Sequence, residues 1–267
     1  MSTPPLSKIR LDKLLVHRSL VPSRERAQAL ILAGRVLVEE QKIDKPGTPT
    51  AADAQIRLLG DDLRYVGRGG LKLEKAVSHW KIDLVNLACM DVGASTGGFT
   101  DCMLQSGAAT VLAIDTGYGQ IAEKLRTDPR VNLMERTNAR LLQPQSLLQH
   151  GIRFFAMDVS FISATLVLPA LLGAMATTES AWQGEAMVLI KPQFEAGREH
   201  VGKGGIVRTQ AGRQLAINRV AQSAQSLGAR EIQIIESPIT GMEGNHEYLL
   251  HAWFGAARLY PCWGHPR

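Results

Sequence analysis

Hydrophobic and polar positions beyond residue 70 alternate between short apolar runs and longer helical stretches. The apolar runs predict six strands, near residues 87–92, 110–115, 131–135, 153–158, 186–191 and 231–236. The clearest helix covers residues 210–227, with Thr209 as its N-cap and Gly228 at its end. After the sixth strand, the pair Gly244-Asn245 predicts a turn that returns a seventh strand antiparallel to it. Alternating strands and helices of this kind predict an α/β domain with a mostly parallel sheet.

The part of the chain that precedes Leu71 follows a different pattern. A short helix is predicted from Ile9, and a second helix starts after Ser23 as N-cap and ends at Gly34. Strands are predicted at residues 36–38 and 55–58. We therefore expect a small α+β domain over residues 8–59, a linker over residues 60–70, and the α/β domain over residues 71–254. Residues 1–7 are expected to be a disordered leader, and residues 255–267 form a tail without an interpretable pattern.

A glycine-rich turn follows the first strand of the α/β domain. The run Asp91-Val92-Gly93-Ala94-Ser95-Thr96-Gly97-Gly98-Phe99-Thr100 leads into a helix, and the second strand ends on Asp115. Glycines let a ligand approach the backbone, and an acid after the second strand accepts hydrogen bonds from ribose hydroxyls. The G-x-G-x-x-G frame of a dinucleotide site is absent, and Asp91 would repel a pyrophosphate.

Asp91 would instead receive the cationic amino-acid end of S-adenosylmethionine, which we predict as the cofactor. Either Glu135 or Asn138, after the third strand, would meet the adenine ring, and Asn138 is preferred. The alternative is a tight turn in an unrelated α/β protein. The predicted cofactor-binding residues are Asp91, Gly93, Ala94, Ser95, Gly97, Gly98, Phe99, Thr100, Asp115, Asn138 and Asp158.

Charged residues that end apolar strands are the other candidates for chemistry, because ligands of doubly wound sheets bind at the carboxyl ends of strands. Asp158 ends the fourth strand, and Lys191 ends the fifth strand just before Pro192. Packing gives little reason for a lysine at such a position. A partly desolvated lysine amine can exchange a proton, so Lys191 is a candidate for acid–base chemistry. The alternative is an ordinary surface lysine at a strand end.

The excess positive charge lies entirely in the first part of the chain. Residues 1–75 hold 14 Lys and Arg against 9 Asp and Glu, and residues 76–267 hold 16 of each. This asymmetry predicts an anion-binding module, with nucleic acid as its partner, attached to a neutral domain.

Other features of the sequence exclude several classes of protein. The three cysteines form no disulfide framework and no zinc motif, so no metal is expected. The beginning of the sequence lacks the apolar core of a signal peptide, which predicts a cytoplasmic location. Residues 159–178 carry no charge and reach transmembrane length, but Pro169 and Gly173 interrupt them. We expect a helix packed on the sheet rather than a membrane span.

The small domain resembles an S4 RNA-binding domain. The resemblance rests on Leu11-Asp12-Lys13-Leu14-Leu15, Ser23-Arg24-Glu25-Arg26-Ala27 and Leu32-Ala33-Gly34-Arg35-Val36-Leu37-Val38. It implies recognition of folded RNA through phosphate and shape contacts. The predicted RNA-binding residues are Arg10, Lys13, Arg18, Arg24, Arg26, Arg35 and Arg68.

Over residues 8–254 the chain resembles the TlyA family, bacterial S4-containing RNA 2′-O-methyltransferases also called haemolysin A. The further matching stretches are Arg68-Gly69-Gly70-Leu71-Lys72-Leu73, Met157-Asp158-Val159-Ser160-Phe161-Ile162-Ser163, Leu189-Ile190-Lys191-Pro192-Gln193-Phe194-Glu195, Lys203-Gly204-Gly205-Ile206-Val207-Arg208 and Gly244-Asn245-His246-Glu247-Tyr248. The resemblance implies a Rossmann-like seven-stranded methyltransferase domain. It also implies the Lys-Asp-Lys-Glu catalytic tetrad of FtsJ-type enzymes, at Lys72, Asp158, Lys191 and Glu247.

The resemblance further implies that a cytidine ribose of 16S or 23S ribosomal RNA, or of both, is the substrate. A monomer that acts on ribosomal subunits is expected. Three alternatives remain: an S4-containing ribosome-assembly factor with an inert methyltransferase fold, a cytolysin, and an S4-containing pseudouridine synthase. The intact tetrad disfavours the first, and the glycine-rich turn disfavours the last.

Overall fold

The protein forms two compact units, Met1–Arg64 and Tyr65–Arg267. The structure, a computed structural model, describes residues 8–18, 20–21, 23–59, 64–241 and 244–255. The predicted leader at residues 1–7, residues 60–63 of the predicted linker, and the tail from residue 256 lie outside the described residues.

The first unit contains two short helices and two small sheets. Its elements are β1 (Lys8–Arg10), α1 (Leu11–His17), α2 (Arg24–Leu32), β2 (Val36–Val38), β3 (Gln41–Ile43), β4 (Pro49–Ala51) and β5 (Ile56–Leu58). β1 pairs with β4, and β2 lies between β3 and β5. The Ser23 hydroxyl accepts a hydrogen bond from the Arg26 backbone N–H, as an N-cap should. Leu11, Leu15 and Ile31 form the centre of the core.

The first helix begins later than the sequence predicted. Ile9 lies in β1, opposite Thr50 of β4, and the helix starts at Leu11. The apolar spacing of Ile9 and Leu11 is compatible with a helix, but pairing with a strand far along the sequence decides in favour of the extended conformation. A local pattern carries no information about such a distant partner.

The second unit is built on a seven-stranded sheet. Its helices and strands are α3 (Gly69–Trp80), β6 (Ala88–Val92), α4 (Gly98–Gln105), β7 (Thr110–Ile114), α5 (Glu123–Arg126), β8 (Val131–Met134), β9 (Phe154–Met157), α6 (Ala164–Met175), β10 (Gly184–Ile190), α7 (Pro192–Glu195), α8 (Gln210–Ser226), β11 (Ala229–Glu236) and β12 (Tyr248–Phe254). One-turn 3-10 helices occur at Ala139–Leu141, Leu148–His150 and Arg198–His200.

The strand order is β11-β12-β10-β9-β6-β7-β8. β12 is antiparallel to both of its neighbours, and β8, β7, β6, β9 and β10 are mutually parallel. The predicted α/β class, with six strands in one direction and one reversed strand, is confirmed. The reversed strand lies inside the sheet, between β10 and β11, rather than at its edge.

Side chains on the two faces of the sheet enter separate cores. Phe155 and Val188 pack under α6 and α8, whereas Phe154 and Met187 pack under α3 and α4. Neighbouring residues of a strand point to opposite faces, so strands covered on both sides are apolar throughout. The uncharged stretch at residues 159–178 contains α6, which lies in the first of these cores. Among the described helices, none is both long and apolar enough to span a bilayer.

The segment before α3 packs within the second unit. Tyr65 is buried, and its ring occupies the space beside Gly70 that a Cβ would need. The backbone N–H of Val66 donates to the buried carboxylate of Asp101. The sequence interpretation had assigned these positions to a linker, and it began α3 at Leu71 instead of Gly69.

The close packing of α3 against α4 gives a stability prediction. A methyl group at Gly98 would lie 2.9 Å from the backbone nitrogen of Gly70 and 3.2 Å from the carbonyl oxygen of Gly67. Gly98→Ala should lower the free energy of unfolding by about 1–3 kcal/mol, because backbone atoms cannot yield as a flexible side chain would. Urea denaturation of the purified protein measures the change.

Gly173 of α6 provides the matched control, because a Cβ there meets no atom within 4 Å. Gly173→Ala should raise the free energy of unfolding by about 0.5–1 kcal/mol, since alanine loses less backbone entropy on folding into a helix. Equal stabilities for the two variants would contradict the close approach of α3 and α4.

Candidate active site

Four strand ends bring polar residues to one edge of the sheet. Asp91 lies near the end of β6, Asp115 and Asp158 follow β7 and β9, and Lys191 follows β10. These strands are parallel and adjacent, so their carboxyl ends meet along the same edge. The sequence predictions for this region therefore converge on one place in the fold.

The four residues of the predicted tetrad form a chain of ion pairs. The ammonium nitrogen of Lys191 lies 2.5 Å from Asp158 Oδ1, and that of Lys72 lies 2.5 Å from Glu247 Oε2. Lys72 Nζ is also 3.9 Å from Asp158 Oδ2, so Asp158 faces both lysines. The exposed fractions of the side chains are 11% for Lys191, 10% for Lys72, 3% for Glu247 and 21% for Asp158. Two ammonium groups and two carboxylates balance, which offsets the cost of removing them from water.

Two residues just after Asp158 also belong to this edge. The hydroxyl of Ser160 accepts a hydrogen bond of 2.6 Å from Lys191 Nζ. Phe161 has a left-handed backbone with φ of 64°, and its side chain is 93% exposed. Its ring lies 5.5 Å from the ring of Phe194. An exposed aromatic ring with a strained backbone beside a charged cluster is typical of a ligand-binding edge.

The glycine-rich turn passes directly beside Asp158. Gly93 has a φ of 87°, and a Cβ on it would lie 2.4 Å from the carbonyl oxygen of Asp158. Only glycine fits there without a backbone shift. The turn also holds Asp115, whose carboxylate accepts hydrogen bonds from the backbone N–H groups of Ser95, at 2.7 Å, and Gly117, at 2.6 Å.

Asp91 is buried with one oxygen unsatisfied. Its Oδ2 accepts from the backbone N–H and the hydroxyl of Thr100, whereas Oδ1 has no hydrogen-bond partner among the described residues. The pKa of Asp91 is raised to about 7, mainly by burial; the hydrogen bonds from Thr100 oppose this rise, and the nearby carboxylates of Asp158 and Asp115 contribute to it. Three acids at one strand edge suit a cationic ligand, and two of them, Asp91 and Asp158, each have a buried oxygen without a hydrogen-bond partner among the described residues. The residues present therefore fit the amino-acid end of S-adenosylmethionine.

The other predicted cofactor residues have different surroundings. The ring of Phe99 is 3% exposed and lies in the core beside Gly69, and Thr100 is fully buried with its hydroxyl committed to Asp91. Asn138 caps a one-turn helix by accepting from the Arg140 N–H. The alternative adenine residue, Glu135, is bound by Arg126 and by the N–H of Gly119. Among the residues that the structure describes, no group of His, Cys, Asp or Glu side chains is arranged to hold a metal ion.

In the first unit, two of the predicted RNA-binding arginines share one buried acid. Asp12 has no exposed surface, and it accepts hydrogen bonds from Arg10, from Arg24 and from Gln28. The hydrogen bond from Arg10 is the main cause of a pKa for Asp12 well below its usual range. Both arginine side chains remain 47% exposed, so Asp12 fixes two guanidinium groups at the surface.

The remaining predicted RNA-binding residues differ in the contacts and the exposure of their side chains. Arg18 donates to the carbonyl oxygens of Ala52 and Ala54, and Arg35 donates to that of Leu59. Arg68, in the second unit, donates to the carbonyl oxygen of Thr240 at 3.3 Å. Lys13 is exposed and Arg26 is half-buried.

Sequence reasoning did not single out Asp12, Ser160 or Phe161. An acid within a basic helix pair was a possible signal for Asp12. For Ser160 and Phe161 the sequence shows that they lie next to Asp158. The contact of Ser160 with Lys191 and that of Phe161 with Phe194 depend on how β9 and β10 pair.

Comparison with known proteins agrees with both units. The family model described as FtsJ-like methyltransferase matches residues 65–254, and the S4 domain model matches residues 9–56. A Mycobacterium tuberculosis (strain ATCC 25618 / H37Rv) protein named 16S/23S rRNA (cytidine-2′-O)-methyltransferase TlyA is 41% identical over 244 residues, which are 91% of this chain and 89% of that protein. Hemolysin A of Brachyspira hyodysenteriae is 39% identical and covers 91% of this chain and 99% of its own length.

A solved structure of a Streptococcus thermophilus protein aligns over 94% of this chain and 90% of that chain, with a TM-score of 0.72 and 40% identity. The resemblance inferred from the sequence and the prediction of an enzyme are both confirmed. The chain belongs to the FtsJ-like methyltransferase family, and it carries an S4 domain at its N-terminal end.

Proposed function

We propose that this protein transfers a methyl group from S-adenosylmethionine to a ribose 2′-hydroxyl, that of a cytidine in 16S ribosomal RNA, 23S ribosomal RNA or both. The observation that carries the proposal is the ion-paired cluster of Lys72, Asp158, Lys191 and Glu247 beside the three-acid edge. The relative named TlyA supports the choice of cytidine and of ribosomal RNA. We further propose that the protein acts as a cytoplasmic monomer.

The direct experiment incubates the purified protein with ribosomal subunits and S-adenosylmethionine, and then maps 2′-O-methyl positions in both ribosomal RNAs. A new methyl group on a cytidine ribose supports the proposal. Methylation on a base, or none on any subunit or free ribosomal RNA, would contradict it.

The residues of this chain would divide the reaction between them. S-adenosylmethionine, when bound, supplies an electrophilic methyl group on a sulfonium cation. Lys191, in its neutral form after one proton has left to solvent, orients the 2′-hydroxyl and accepts its proton as the oxygen attacks. Asp158 holds Lys191 at 2.5 Å and favours positive charge at this edge. Asp158 also faces Lys72, so its negative charge is shared between two lysines.

Glu247 and Lys72 position the other members of the cluster. Their ion pair of 2.5 Å is the most deeply buried of the cluster. It keeps Lys72 close to Asp158 without placing a second carboxylate against Lys191. Asp91 precedes the glycine-rich turn and Asp115 accepts a hydrogen bond from Ser95 within it, and there they would bind the amino group and the ribose of the cofactor.

Lys191 is the first residue to test. Lys191→Ala should reduce methyl transfer by about a thousandfold or more, which is the upper part of the range for a lost acid–base group, and leave cofactor and RNA affinity largely intact. Lys191→Arg should fail too, because a guanidinium stays protonated at working pH. Single-turnover transfer of labelled methyl to ribosomal subunits measures the rate.

Lys124→Ala serves as the control, because Lys124 is a largely exposed lysine that pairs with Asp101 of α4. Its rate should remain near that of the wild type. If Lys191→Ala also kept a near-normal rate, Lys191 would not be the base.

The buried carboxyl of Asp91 predicts how cofactor binding depends on pH. Its pKa of about 7 means that the free protein holds a proton there below neutral pH. A cationic ligand favours the carboxylate, so binding should release a proton and the affinity should fall by up to about tenfold per pH unit below pH 7. Calorimetry at pH 6, 7 and 8, in two buffers of different ionisation enthalpy, measures both effects.

Asp91→Asn keeps the shape of the side chain but removes its titration. In this variant the affinity should be weaker at pH 8 and should lose its dependence on pH between 6 and 7. A wild-type affinity that does not change across this range would remove Asp91 from the binding site.

The arginine pair on Asp12 predicts the salt dependence of RNA binding. Each phosphate contact releases counterions, so log affinity falls with log salt, and replacing both Arg10 and Arg24 with alanine should make this negative slope shallower by about two units. Arg57→Ala is the control, because Arg57 is exposed in the same unit but pairs with Glu40. Filter binding to ribosomal RNA over a salt series measures the slopes, and equal slopes for all three proteins would exclude the pair from the RNA contact.

A further inference from the structure

The ammonium group of Lys191 has two fixed partners. Asp158 Oδ1 lies 2.5 Å from Nζ, and Ser160 Oγ lies 2.6 Å from it. A lysine nitrogen has one bond to Cε and three further directions in space. The hydrogen bond to Ser160 takes one of these directions while the ion pair with Asp158 holds the nitrogen itself, so the other directions are set as well. We infer that Ser160 is a positioning residue that aims the remaining valence of Lys191 at the ribose 2′-hydroxyl.

This inference rests on the proposed function and adds a residue outside the tetrad. The contact with Asp158 is an ion pair without hydrogen-bond geometry, so with Asp158 alone the amine would rotate about its Cε–Nζ bond. The Ser160 hydroxyl removes this freedom. Ser160 is exposed and Lys191 is buried, so this hydrogen bond joins the buried cluster to the surface.

The two segments that carry these groups are tied together by a buried acid. Glu195 of α7, which lies one turn after Lys191, accepts hydrogen bonds from the Ser163 hydroxyl at 2.5 Å and from the Ala164 N–H at 2.7 Å. Its side chain is almost fully buried. Residues 160 and 191 follow the paired strands β9 and β10, and Glu195 joins the two segments again beyond them, which restrains the distance between the hydroxyl and the amine.

The backbone around Ser160 also departs from relaxed geometry. Phe161, the next residue, is held in the left-handed conformation with φ of 64°. For a residue with a bulky side chain this conformation carries a cost, which persists only where the surroundings enforce it. The turn at Phe161 brings the chain directly from Ser160 to the Ser163–Glu195 contact.

The hydrogen bond to Ser160 also affects charge. A hydroxyl that accepts from an ammonium group stabilises the charged form, and its removal favours the neutral amine. Lys72, Asp158 and Glu247, the other charged groups of the cluster around Lys191, remain in place when Ser160 is replaced. The loss of the hydroxyl should therefore slow the reaction while shifting the acid limb of the pH–rate profile to lower pH.

Three variants of the full-length protein test the inference. Ser160→Ala should lower the single-turnover rate about tenfold, because a misdirected amine costs one to two orders of magnitude, with cofactor and RNA affinities unchanged. Its acid limb should move to lower pH. Ser160→Thr keeps the hydroxyl and should restore most of the rate and the wild-type profile. Ser180→Ala, an exposed serine in the loop that precedes β10, should behave as wild type.

Three outcomes would overturn the inference: a wild-type rate and profile for Ser160→Ala, a loss confined to RNA affinity, or a threonine variant no better than alanine. The methylation sites that the wild-type protein produces in ribosomal subunits are mapped first. This result separates a failure of the Ser160 inference from a failure of the proposed function. If the wild type methylates a ribose and Ser160→Ala is equally fast, only the role of Ser160 is lost.

Discussion

Burial of two ammonium groups and two carboxylates in one cluster is the constraint on which the second unit depends. Each of these charges alone would cost several kcal/mol to remove from water, and only mutual pairing makes their burial tolerable. The four groups come from the first turn of α3, the loop after β9, the end of β10 and the residue before β12. The pairing distances thus require that these elements meet at one edge of the sheet.

Buried polar contacts outside the cluster keep these elements in place. The side chain of Asn245, just before Glu247 in the chain, donates to the carbonyl oxygen of Gly205 and accepts from the N–H of Val207. On the other side, Glu195 joins the segment after Lys191 to the start of α6. The side chains of Asn245 and Glu195 are almost fully buried. A buried polar group without a hydrogen-bond partner costs free energy, so these bonds hold in place both the side chains and the backbone groups that they contact.

The sequence predicted the strands well, because strands that are covered on both faces are continuous apolar runs bounded by turns. The prediction of the four-residue cluster rested on the family resemblance. No spacing rule relates Lys72 to Glu247, which lies near the other end of the chain. The positions of Ile9 and Tyr65 were misjudged, because a strand partner far along the sequence and a packed ring leave no local periodicity. Asp12, Ser160 and Phe161 were overlooked for a similar reason, since their roles arise from contacts that only the folded chain creates.

The position of β12 has a consequence for the order of events during synthesis. Until residues 248–254 emerge from the ribosome, β10 and β11 each present an unpaired edge, and Lys72 has no Glu247 to neutralise it. The S4 domain and the glycine-rich turn are made much earlier, so a nascent chain would already hold its binding surfaces for RNA and cofactor. Closing the sheet and completing the proposed catalytic cluster are then the same late step, and an unfinished chain would occupy RNA without modifying it.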